Sequence, residues 1–290
     1  MKDFIPPMLC ETSKPFDSEE FIFEKKLDGM RVLFVIDKKN NYFRIQNREL
    51  YDITQNYPEF KNFDFLKENV ESIVFDGELC LNSGKSADYH DTKFKRRTHI
   101  KSSIKSNFLS KINPLTYFVF DVLFVNGQDL RNMPLSERKK VLFEAIKENE
   151  RVKILEWETG GKNTATHELT GIAYYEQLLS NGFEGVIAKK WNSKYENKRS
   201  SSWLKIKRIQ EEICVVLGWN EKSGRSSYGS LKTDKGDVGL LNMKHKEEYD
   251  EFVKNFGLGN FKVKATCQEI LPSGKMRFPI FKEWVELLKC

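Results

Sequence analysis

The chain has 290 residues, of which 39% are hydrophobic and 13% aromatic, enough to build one large or two smaller cores and to exclude global disorder. Its formal net charge of +6 is mild, but the positive side chains are clustered, which suits a polyanionic partner and equally suits a solvated surface. The five cysteines are widely scattered and the four histidines show no ligand spacing, so we expect reduced thiols and no zinc site.

Residues 1–20 form a polar lead-in without an apolar signal core. The most apolar run, 117–125, is interrupted by Asp121. We therefore expect neither export nor a membrane span, and we expect a cytoplasmic protein.

The stretch 24–31 separates two strand-like runs, 21–23 and 31–36, whose aromatic and β-branched residues favour sheet. Asp28-Gly29 predicts a tight turn between them, because glycine accepts a positive φ and aspartate caps the local backbone. The resulting hairpin would hold Lys26 at a fixed point on a sheet.

Elements further along the chain follow from the periodicity of apolar residues. Strands are predicted at 42–46, 72–75, 117–124, 185–189 and 203–207, and helices at about 59–68, 136–149 and 167–181. Residues 158–163 are predicted to form a loop, and the polar segment 82–113 a surface excursion or short helices. Beyond Arg208, short strands at 213–218, 231–233, 238–243 and 262–270, with one helix near 246–256, predict a five-stranded barrel of the oligonucleotide-binding (OB) type.

A lysine that attacks a nucleotide phosphate makes several demands on its surroundings. The amine must be neutral, so desolvation or nearby cations must lower its pKa. The phosphates need cationic partners, a divalent metal needs oxygen ligands, and the base needs an aromatic surface. Candidates at the ends of predicted strands are Lys26, Glu78, Phe120, Glu184, Lys205 and Lys207. Lys205 and Lys207 project from one face of their strand, because side chains alternate along a strand.

Six motifs occur in the order found in ATP-dependent DNA ligases, which the chain resembles from residue 7 to residue 279. They are Lys26-Leu27-Asp28-Gly29-Met30-Arg31, Asn47-Arg48, Phe75-Asp76-Gly77-Glu78, Phe118-Val119-Phe120-Asp121, Glu184-Gly185-Val186-Ile187-Ala188-Lys189 and Trp203-Leu204-Lys205-Ile206-Lys207. Asp-Gly-Glu or Glu-Gly alone carries little information, but the ordered series is a specific signal. The segments 191–207 and 217–231 are especially similar to the bacterial end-joining branch of that family.

The resemblance implies a role for each motif residue. Lys26 is the nucleophile that becomes adenylated, Glu24 contacts the adenine amino group, Phe120 stacks on the adenine, and Arg31 contacts the ribose and the nick phosphate. Arg48 binds phosphate on ATP or on the nicked strand, Glu78 contacts the ribose hydroxyl or supports a metal, and Glu184 binds the catalytic divalent metal. Lys205 and Lys207 grip the α-phosphate, and Arg277 in the terminal motif acts in the first step.

The implied fold is α+β. An adenylation (nucleotidyltransferase) domain of antiparallel sheets flanked by helices, residues 1–208, precedes an OB-fold barrel, residues 209–290. The implied activity is ATP-dependent sealing of 5′-phosphate/3′-hydroxyl nicks in duplex DNA through a lysyl-AMP intermediate and an adenylated DNA 5′ end. ATP and Mg²⁺ or Mn²⁺ are the implied cofactors, and nicked duplex DNA is the implied partner of a monomer associated with the nucleoid. Recruitment by a DNA-end-binding protein is left open.

The chain departs from the family's pattern near its C-terminal end. Val285 stands where a second arginine usually follows Arg277, so Lys282 or Lys289 is a candidate substitute. An RNA ligase or a capping-type nucleotidyltransferase shares the lysine chemistry and is the alternative function, although Arg31 and the 203–207 run favour the DNA ligases. A non-catalytic nucleic-acid-binding module is the third possibility.

We expect DNA to bind through two basic clusters, 93–105 and 194–208, together with the barrel. Because Lys26 comes so early, we expect no separate DNA-binding domain before it, and no large insertion separates Trp219 from Leu231. With neither device to encircle DNA, binding should be sensitive to salt.

Overall fold

The computed structural model describes residues 3–98, 102–159, 169–221, 229–271 and 273–285. The chain divides into two compact units, Met1–Ile206 and Lys207–Cys290. Each unit has a buried apolar core of its own. Within the described ranges, no helix has both the length and the apolar character that crossing a membrane requires.

The first unit contains two sheets and several helices. Its strands are β1 (Leu9–Thr12), β2 (Phe21–Lys25), β3 (Met30–Asp37), β4 (Tyr42–Asn47), β5 (Ser72–Leu81), β6 (Leu115–Val125), β7 (Gln128–Asp129), β8 (Val152–Ile154), β9 (Trp157–Thr159), β10 (Gly185–Lys190) and β11 (Arg199–Lys207). Its helices are α1 (Ser86–His90), α2 (Thr92–Thr98), α3 (Ser103–Ile112), α4 (Leu135–Ala145) and α5 (Gly171–Ser180).

The two sheets have different strand orders. One sheet runs β1-β11-β10-β2-β9, and the other runs β4-β3-β5-β6-β7, with β8 beside β6. Most neighbouring strands are antiparallel, as predicted. The prediction is wrong for β1, which pairs in parallel with β11, and for β8, which pairs in parallel with β6. The sheets of the α+β fold are therefore mixed.

Strands β2 and β3 do not form the predicted hairpin, because they belong to different sheets. Residues 26–29 instead carry the chain from one sheet to the other. The backbone amide of Lys26 donates to the Gly185 carbonyl (2.9 Å), and the amide of Asp28 donates to the Gly84 carbonyl (2.9 Å). The crossing is therefore tied at both ends, which fixes the position of Lys26.

Gly29 is required by close approach and not by the predicted positive φ, because its φ lies outside the left-handed region. A Cβ on Gly29 would lie 2.3 Å from the Leu79 carbonyl oxygen and 2.7 Å from Cys80 Sγ. These distances are well inside normal non-bonded contact. Any larger residue would thus push β3 away from β5 at the point where Met30 pairs with Leu79.

Strand β3 is buried on both of its faces. Val32, Phe34 and Ile36 pack into one cluster of apolar side chains, and Leu33 and Val35 pack into another. All five side chains are fully buried, as expected for an unbroken apolar run in a central strand. The C-terminal end of the crossing is therefore anchored in the middle of the first unit.

The predicted helix at 59–68 is wrong. The chain forms short 3₁₀ turns at Thr54–Asn56 and Pro58–Phe60, and then continues without regular structure. Phe60, Phe65, Leu66 and Val70 are buried in the core, and Leu66 forms an isolated antiparallel bridge with Ile146. The Lys67 amide donates to the Ala145 carbonyl (3.0 Å), and the Lys147 amide donates to the Phe65 carbonyl (2.8 Å). Backbone groups that a helix would pair internally are therefore paired with a distant segment.

The other predicted helices of the first unit differ from the observed ones mainly in their bounds. Helices α4 and α5 replace the predictions at 136–149 and 167–181, of which residues 167–168 lie outside the described residues. The polar segment 82–113 contains α1, α2 and α3. Of the predicted loop 158–163, residues 158–159 belong to β9 and the rest lie outside the described residues.

The second unit is a closed barrel with a helix. Its elements are β12 (Gln210–Glu221), β13 (Gly229–Thr233), β14 (Val238–Leu241), α6 (Met243–Phe256), β15 (Lys262–Cys267), β16 (Glu269–Ile270), β17 (Met276–Arg277) and β18 (Ile280–Val285). The barrel strands follow the order β12-β13-β14-β18-β15, and β15 closes the barrel onto β12. Its core includes Cys214, Leu231 and Val263. Strands β16 and β17 pair with each other outside the barrel.

Replacing Gly29 by alanine should destabilise the first unit. The added Cβ meets the Leu79 carbonyl oxygen, a backbone atom that cannot move without displacing β5, and overpacking of this kind costs about 1–3 kcal/mol. Thermal unfolding of Gly29→Ala against wild type measures the loss. Gly239→Ala is the matched control, because a Cβ at Gly239 meets no atom of the part of the chain that the structure describes within 4 Å. Equal melting temperatures for the two variants would contradict the close approach.

Candidate active site

A cavity of about 460 Å³ lies in the first unit where the crossing 26–29 meets both sheets. Its lining includes seven of the predicted site residues: Glu24, Lys26, Arg31, Arg48, Glu78, Phe120 and Lys205. It also includes Cys10, Lys189 and Trp203, to which the sequence motifs assigned no role. The fold therefore gathers residues from distant parts of the chain around Lys26.

The amine of Lys26 forms an ion pair with the carboxylate of Glu184, and both side chains are largely buried. Glu184 lies directly before β10, and the next residue, Gly185, has a φ of 145°, which glycine adopts more readily than other residues. The Gly185 carbonyl also accepts the backbone N–H of Lys26 (2.9 Å). Two consecutive residues thus hold both the backbone and the side chain of Lys26.

Glu24 is 1% exposed, and each of its carboxylate oxygens lies against a buried lysine. Lys139 Nζ lies 2.5 Å from Oε1, and Lys189 Nζ lies 2.6 Å from Oε2. Burial lowers the pKa of Lys139, and the attraction of Glu24 opposes that shift. The carboxylate is therefore fixed by two cations, of which only Lys189 lines the cavity.

Lys189 also contacts two aromatic rings of the cavity wall. Its Nζ lies 4.0 Å from the ring centre of Phe120 and 4.1 Å from that of Trp203, within the range of cation–π attraction. Its contact with Glu24 is an ion pair that lacks hydrogen-bond geometry, so the buried amine has no hydrogen-bond acceptor among the described residues. A buried donor that faces a cavity is available to a bound ligand.

Sequence reasoning missed Lys139 and Lys189, although the periodicity of their elements contained a signal for both. Along β10, Ile187 and Lys189 line the cavity while the alternate residues pack into the core. Along α4, Leu135, Lys139 and Leu142 share the buried face at helical spacing. A lysine at a buried position of either pattern needs a buried partner, and that partner is Glu24.

Arg31 lines the cavity with its guanidinium already engaged. Nε donates to Asp76 Oδ1 (3.0 Å), one terminal nitrogen donates to Asp76 Oδ2 (2.6 Å), and the other donates to the Met8 carbonyl (2.7 Å). The Tyr195 hydroxyl donates to the same Asp76 carboxylate (2.7 Å). Although burial opposes the charged form, the Asp76 carboxylate raises the pKa of Arg31, so the guanidinium stays charged.

Glu78 lies opposite Arg31 in the β3–β5 pairing and lines the same cavity. Burial raises the pKa of Glu78 to about 7, and the nearby charges of Lys26 and Arg31 limit that rise. The carboxyl group therefore exchanges its proton close to neutral pH.

The remaining cavity residues predicted from the motifs differ in exposure. Phe120 is 8% exposed, and its ring packs edge-on against Trp203 with the ring centres 6.0 Å apart. Lys205 is half-buried on β11, where it pairs with Thr12 of β1. Arg48 is exposed in the turn after β4. The cavity thus has an aromatic wall and cations with different access to solvent.

Two predicted residues belong to the second unit. Lys207 is the last residue of β11 and the first residue of that unit. Arg277 on β17 is buried, and it donates to Glu269 Oε1 on the paired strand β16 (3.0 Å). Of the two candidate substitutes for the missing second arginine, Lys282 lies on β18 and Lys289 is outside the described residues.

Comparison with known proteins decides the family. The family model described as the ATP dependent DNA ligase domain matches residues 7–207. The chain belongs to the ATP-dependent DNA ligase family. Among relatives of this ligase-family chain, the SPbeta prophage-derived DNA ligase-like protein LigB of Bacillus subtilis (strain 168) is 30% identical over 76% of the chain and 73% of the relative.

Other relatives of this ligase-family chain are longer. The DNA ligase of Thermococcus fumicolans is 32% identical over 72% of the chain, and the match covers 36% of that ligase. The chain spans 35% or 36% of the length of several such ligases. Among solved structures, the ligase domain of M. tuberculosis LigD is similar with a TM-score of 0.56 at 19% identity, covering 97% of this chain and 95% of that domain. The likeness shows a shared fold.

Replacing Glu78 by glutamine should change how stability depends on pH. The folded pKa of about 7 lies above the value of about 4.3 for a glutamate in an unfolded chain. Between these values the folded state keeps a proton that the unfolded state has lost, so stability falls as pH rises through this window. The melting temperature of Glu78→Gln minus that of wild type should therefore increase from about pH 5 to about pH 8. Both proteins are measured in EDTA without nucleotide.

The control for this measurement is Glu144→Gln, which changes an exposed glutamate on α4. Its difference from wild type should not vary with pH. If the difference in melting temperature between Glu78→Gln and wild type is also independent of pH, the raised pKa of Glu78 is contradicted.

Proposed function

We propose that the chain seals nicks in duplex DNA, with ATP as the energy source and Lys26 as the nucleophile. The observation that carries the proposal is the placement of Lys26 against Glu184, at a cavity lined by cations and aromatic rings. An exposed lysine in a hairpin turn would have no such surroundings. Membership of the ATP-dependent DNA ligase family supports the same reaction.

The proposed reaction has three steps. Lys26 Nζ, once deprotonated, attacks the α-phosphorus of ATP, so that a P–N bond forms and the bond to the pyrophosphate oxygen breaks. A 5′-phosphate oxygen of the nick then attacks the same phosphorus, the P–N bond breaks, and the amine takes up a proton. Finally the 3′-hydroxyl loses its proton and attacks the 5′-phosphorus, a phosphodiester bond forms, and AMP leaves. Positioning and charge stabilisation carry each step, because every step builds charge around phosphorus.

The cavity residues suit the nucleotide in distinct ways. Phe120 offers a ring and Glu24 a carboxylate acceptor for the adenine. Lys205 and Arg48 offer cations for phosphate oxygens. Arg31, which Asp76 fixes in place, is assigned to the ribose and the nick phosphate and also to holding the cavity wall.

Glu184 and Glu78 are the candidate ligands of a divalent metal. Their carboxylates are the oxygen donors that Mg²⁺ and Mn²⁺ prefer, and both lie near the charge of Lys26. Among the described residues, no group of three or more His, Cys, Asp or Glu side chains could hold a metal. This fits Mg²⁺, which commonly uses one or two carboxylates together with substrate phosphates. When bound, the metal would polarise the phosphoryl group that Lys26 attacks.

The second unit is assigned as an OB-fold. Its barrel follows the order of first, second, third, fifth and fourth strand, and α6 connects the third to the fourth, which supports that assignment. On this basis the first unit is the adenylation domain, and the second unit contributes to DNA binding. Lys207 is assigned to the α-phosphate and Arg277 to the first step. Monomeric state and recruitment by a DNA-end-binding protein stay predictions.

Replacing Lys26 by alanine should abolish the covalent adduct. Wild type incubated with ATP labelled at the α-phosphate should gain an acid-labile AMP, and Lys26→Ala should gain none. The variant should still seal a nick that already carries AMP on its 5′ end, because that step forms no bond to Lys26. An AMP adduct on Lys26→Ala, or wild type that forms no adduct with ATP, would refute the proposal. Duplexes with RNA strands, and labelled GTP, test the RNA ligase and capping alternatives.

Neutralising exposed cations of α2 should weaken DNA binding in a salt-dependent way. Lys93, Lys95 and Arg96 are exposed, whereas Arg97 is buried and paired with Glu59. Each phosphate contact that is lost should reduce the slope of log affinity against log salt by about 1. The triple glutamine variant at the exposed positions, titrated with a labelled nicked duplex, measures this slope.

The control for the salt titration is Lys39→Gln, in the turn between β3 and β4, which should keep the wild-type slope. If the triple variant also keeps the wild-type slope, α2 does not contact the DNA backbone.

A further inference from the structure

We propose that Lys139 is a positioning residue for nucleotide selection, which holds Glu24 from behind the cavity so that one carboxylate oxygen stays directed at the base. The inference rests on the proposed function, because it assumes that the cavity accepts ATP. Lys139 does not line the cavity, so it would act on the nucleotide only through Glu24.

Lys139 reaches Glu24 from α4 and is held there on two sides. Its Nζ lies 2.5 Å from Glu24 Oε1 and 4.5 Å from the ring centre of Trp157. Trp157 is the residue that pairs with Glu24 between β9 and β2. The ring that covers the Lys139 amine therefore belongs to the cross-strand partner of Glu24, the residue that this amine binds. Lys139 and Glu24 are each 1% exposed, so water does not compete for the contact.

The two lysines on Glu24 differ in their access to a ligand. Lys189 lines the cavity, and its contact with Oε2 lacks hydrogen-bond geometry. Lys139 is behind the cavity wall and donates a hydrogen bond to Oε1. A nucleotide base can therefore share or displace Lys189 at Oε2, while Oε1 remains anchored. Lys139 thus determines that Oε2, and not Oε1, is the carboxylate oxygen available to the base.

This edge matters because adenine and guanine present opposite groups at the same position of the purine ring. The exocyclic amine of adenine donates a hydrogen bond, which a carboxylate accepts, whereas O6 of guanine is an acceptor that a carboxylate repels. Lys189, a donor, would favour O6. Without Lys139, Glu24 can turn both oxygens towards Lys189, and the acceptor offered to adenine is withdrawn. Selection of ATP over GTP should therefore depend on Lys139.

The test compares adduct formation on Lys26 with ATP and with GTP in single-turnover experiments. Lys139→Met keeps the side-chain volume and removes the charge. For each nucleotide, the maximum rate constant is divided by the half-saturating concentration, and the value for ATP is divided by the value for GTP. This ATP-to-GTP ratio should fall roughly tenfold or more in Lys139→Met. The half-saturating ATP concentration should rise, while the maximum rate constant changes less than about threefold. A merely structural role would lower the active fraction and leave this ratio unchanged.

The adjacent Lys140 provides the matched control. It is exposed on the same helix and pairs with Glu137 (2.8 Å), so Lys140→Met should keep the wild-type ratio. Lys139→Arg, which retains a cation at Oε1, should recover most of the ratio that Lys139→Met loses.

A second comparison holds even if Lys139→Met folds poorly. If Lys139 acts only through Glu24, then Glu24→Gln and the double variant Glu24→Gln/Lys139→Met should have the same ATP-to-GTP ratio. Different ratios for these two variants, or a wild-type ratio for Lys139→Met, would overturn the inference and leave the proposed function standing. Wild type that forms no adduct with either nucleotide would instead refute the proposed function itself.

Discussion

The contact between Lys26 and Glu184 depends on how two sheets are joined. Lys26 begins the segment that leaves one sheet for the other, and Glu184 ends the loop that enters β10. Both partners are positioned by backbone hydrogen bonds, since the Gly185 carbonyl holds the Lys26 amide and the Gly84 carbonyl holds the Asp28 amide. The side-chain contact therefore depends on the register of β2 against β10, in which Lys25 pairs with Val186. The strand pairing of one sheet thus places both partners of the contact.

Buried charge is the second constraint on this site. Glu24, Asp76 and Asp121 are each at most 1% exposed, and each is held by a buried or partly buried cation, as when Arg138 donates to both oxygens of Asp121 (2.8 Å each). Replacing such pairs by apolar residues is often neutral or stabilising, so stability alone does not account for them. They do fix the directions of polar groups around the cavity before any ligand arrives. Charge stabilisation of a phosphoryl transfer requires groups that need not reorganise during the reaction.

The residues that line the cavity could be predicted from the sequence because their motifs occur in a known order. Their placement at strand ends was wrong for Glu78 and Phe120, which lie within β5 and β6. Seven of the predicted residues do line one cavity. The hairpin at 21–36 was wrong for a physical reason: local periodicity identifies β2 and β3 as strands but contains nothing about which strands they pair with. Strand partners are chosen by non-local packing, here by the two apolar faces of β3. The helix at 59–68 failed in the same way, because backbone pairing with the distant segment 145–147 overrode local preference.

Lys139 and Lys189 were missed because residue type suggested the surface. Lysine is almost never fully buried unless it is paired, so a reading by composition places it in solvent. Only the combination of an apolar periodic pattern and a lysine within it points to a buried ion pair, and the sequence does not identify the partner. Glu24 receives one lysine from a neighbouring strand and one from a helix far along the chain. Tertiary contacts of this kind become visible only in the folded molecule.

Glu184 has a single carboxylate for which Lys26 and the proposed metal would compete. In the present arrangement this carboxylate neutralises the charge of Lys26, and an ammonium has no lone pair with which to attack phosphorus. A divalent cation held by Glu184 would offset this negative charge and would bring a positive charge near the amine. Nearby positive charge favours the neutral amine. The ion pair that positions Lys26 is thus one that a cation at Glu184 would weaken.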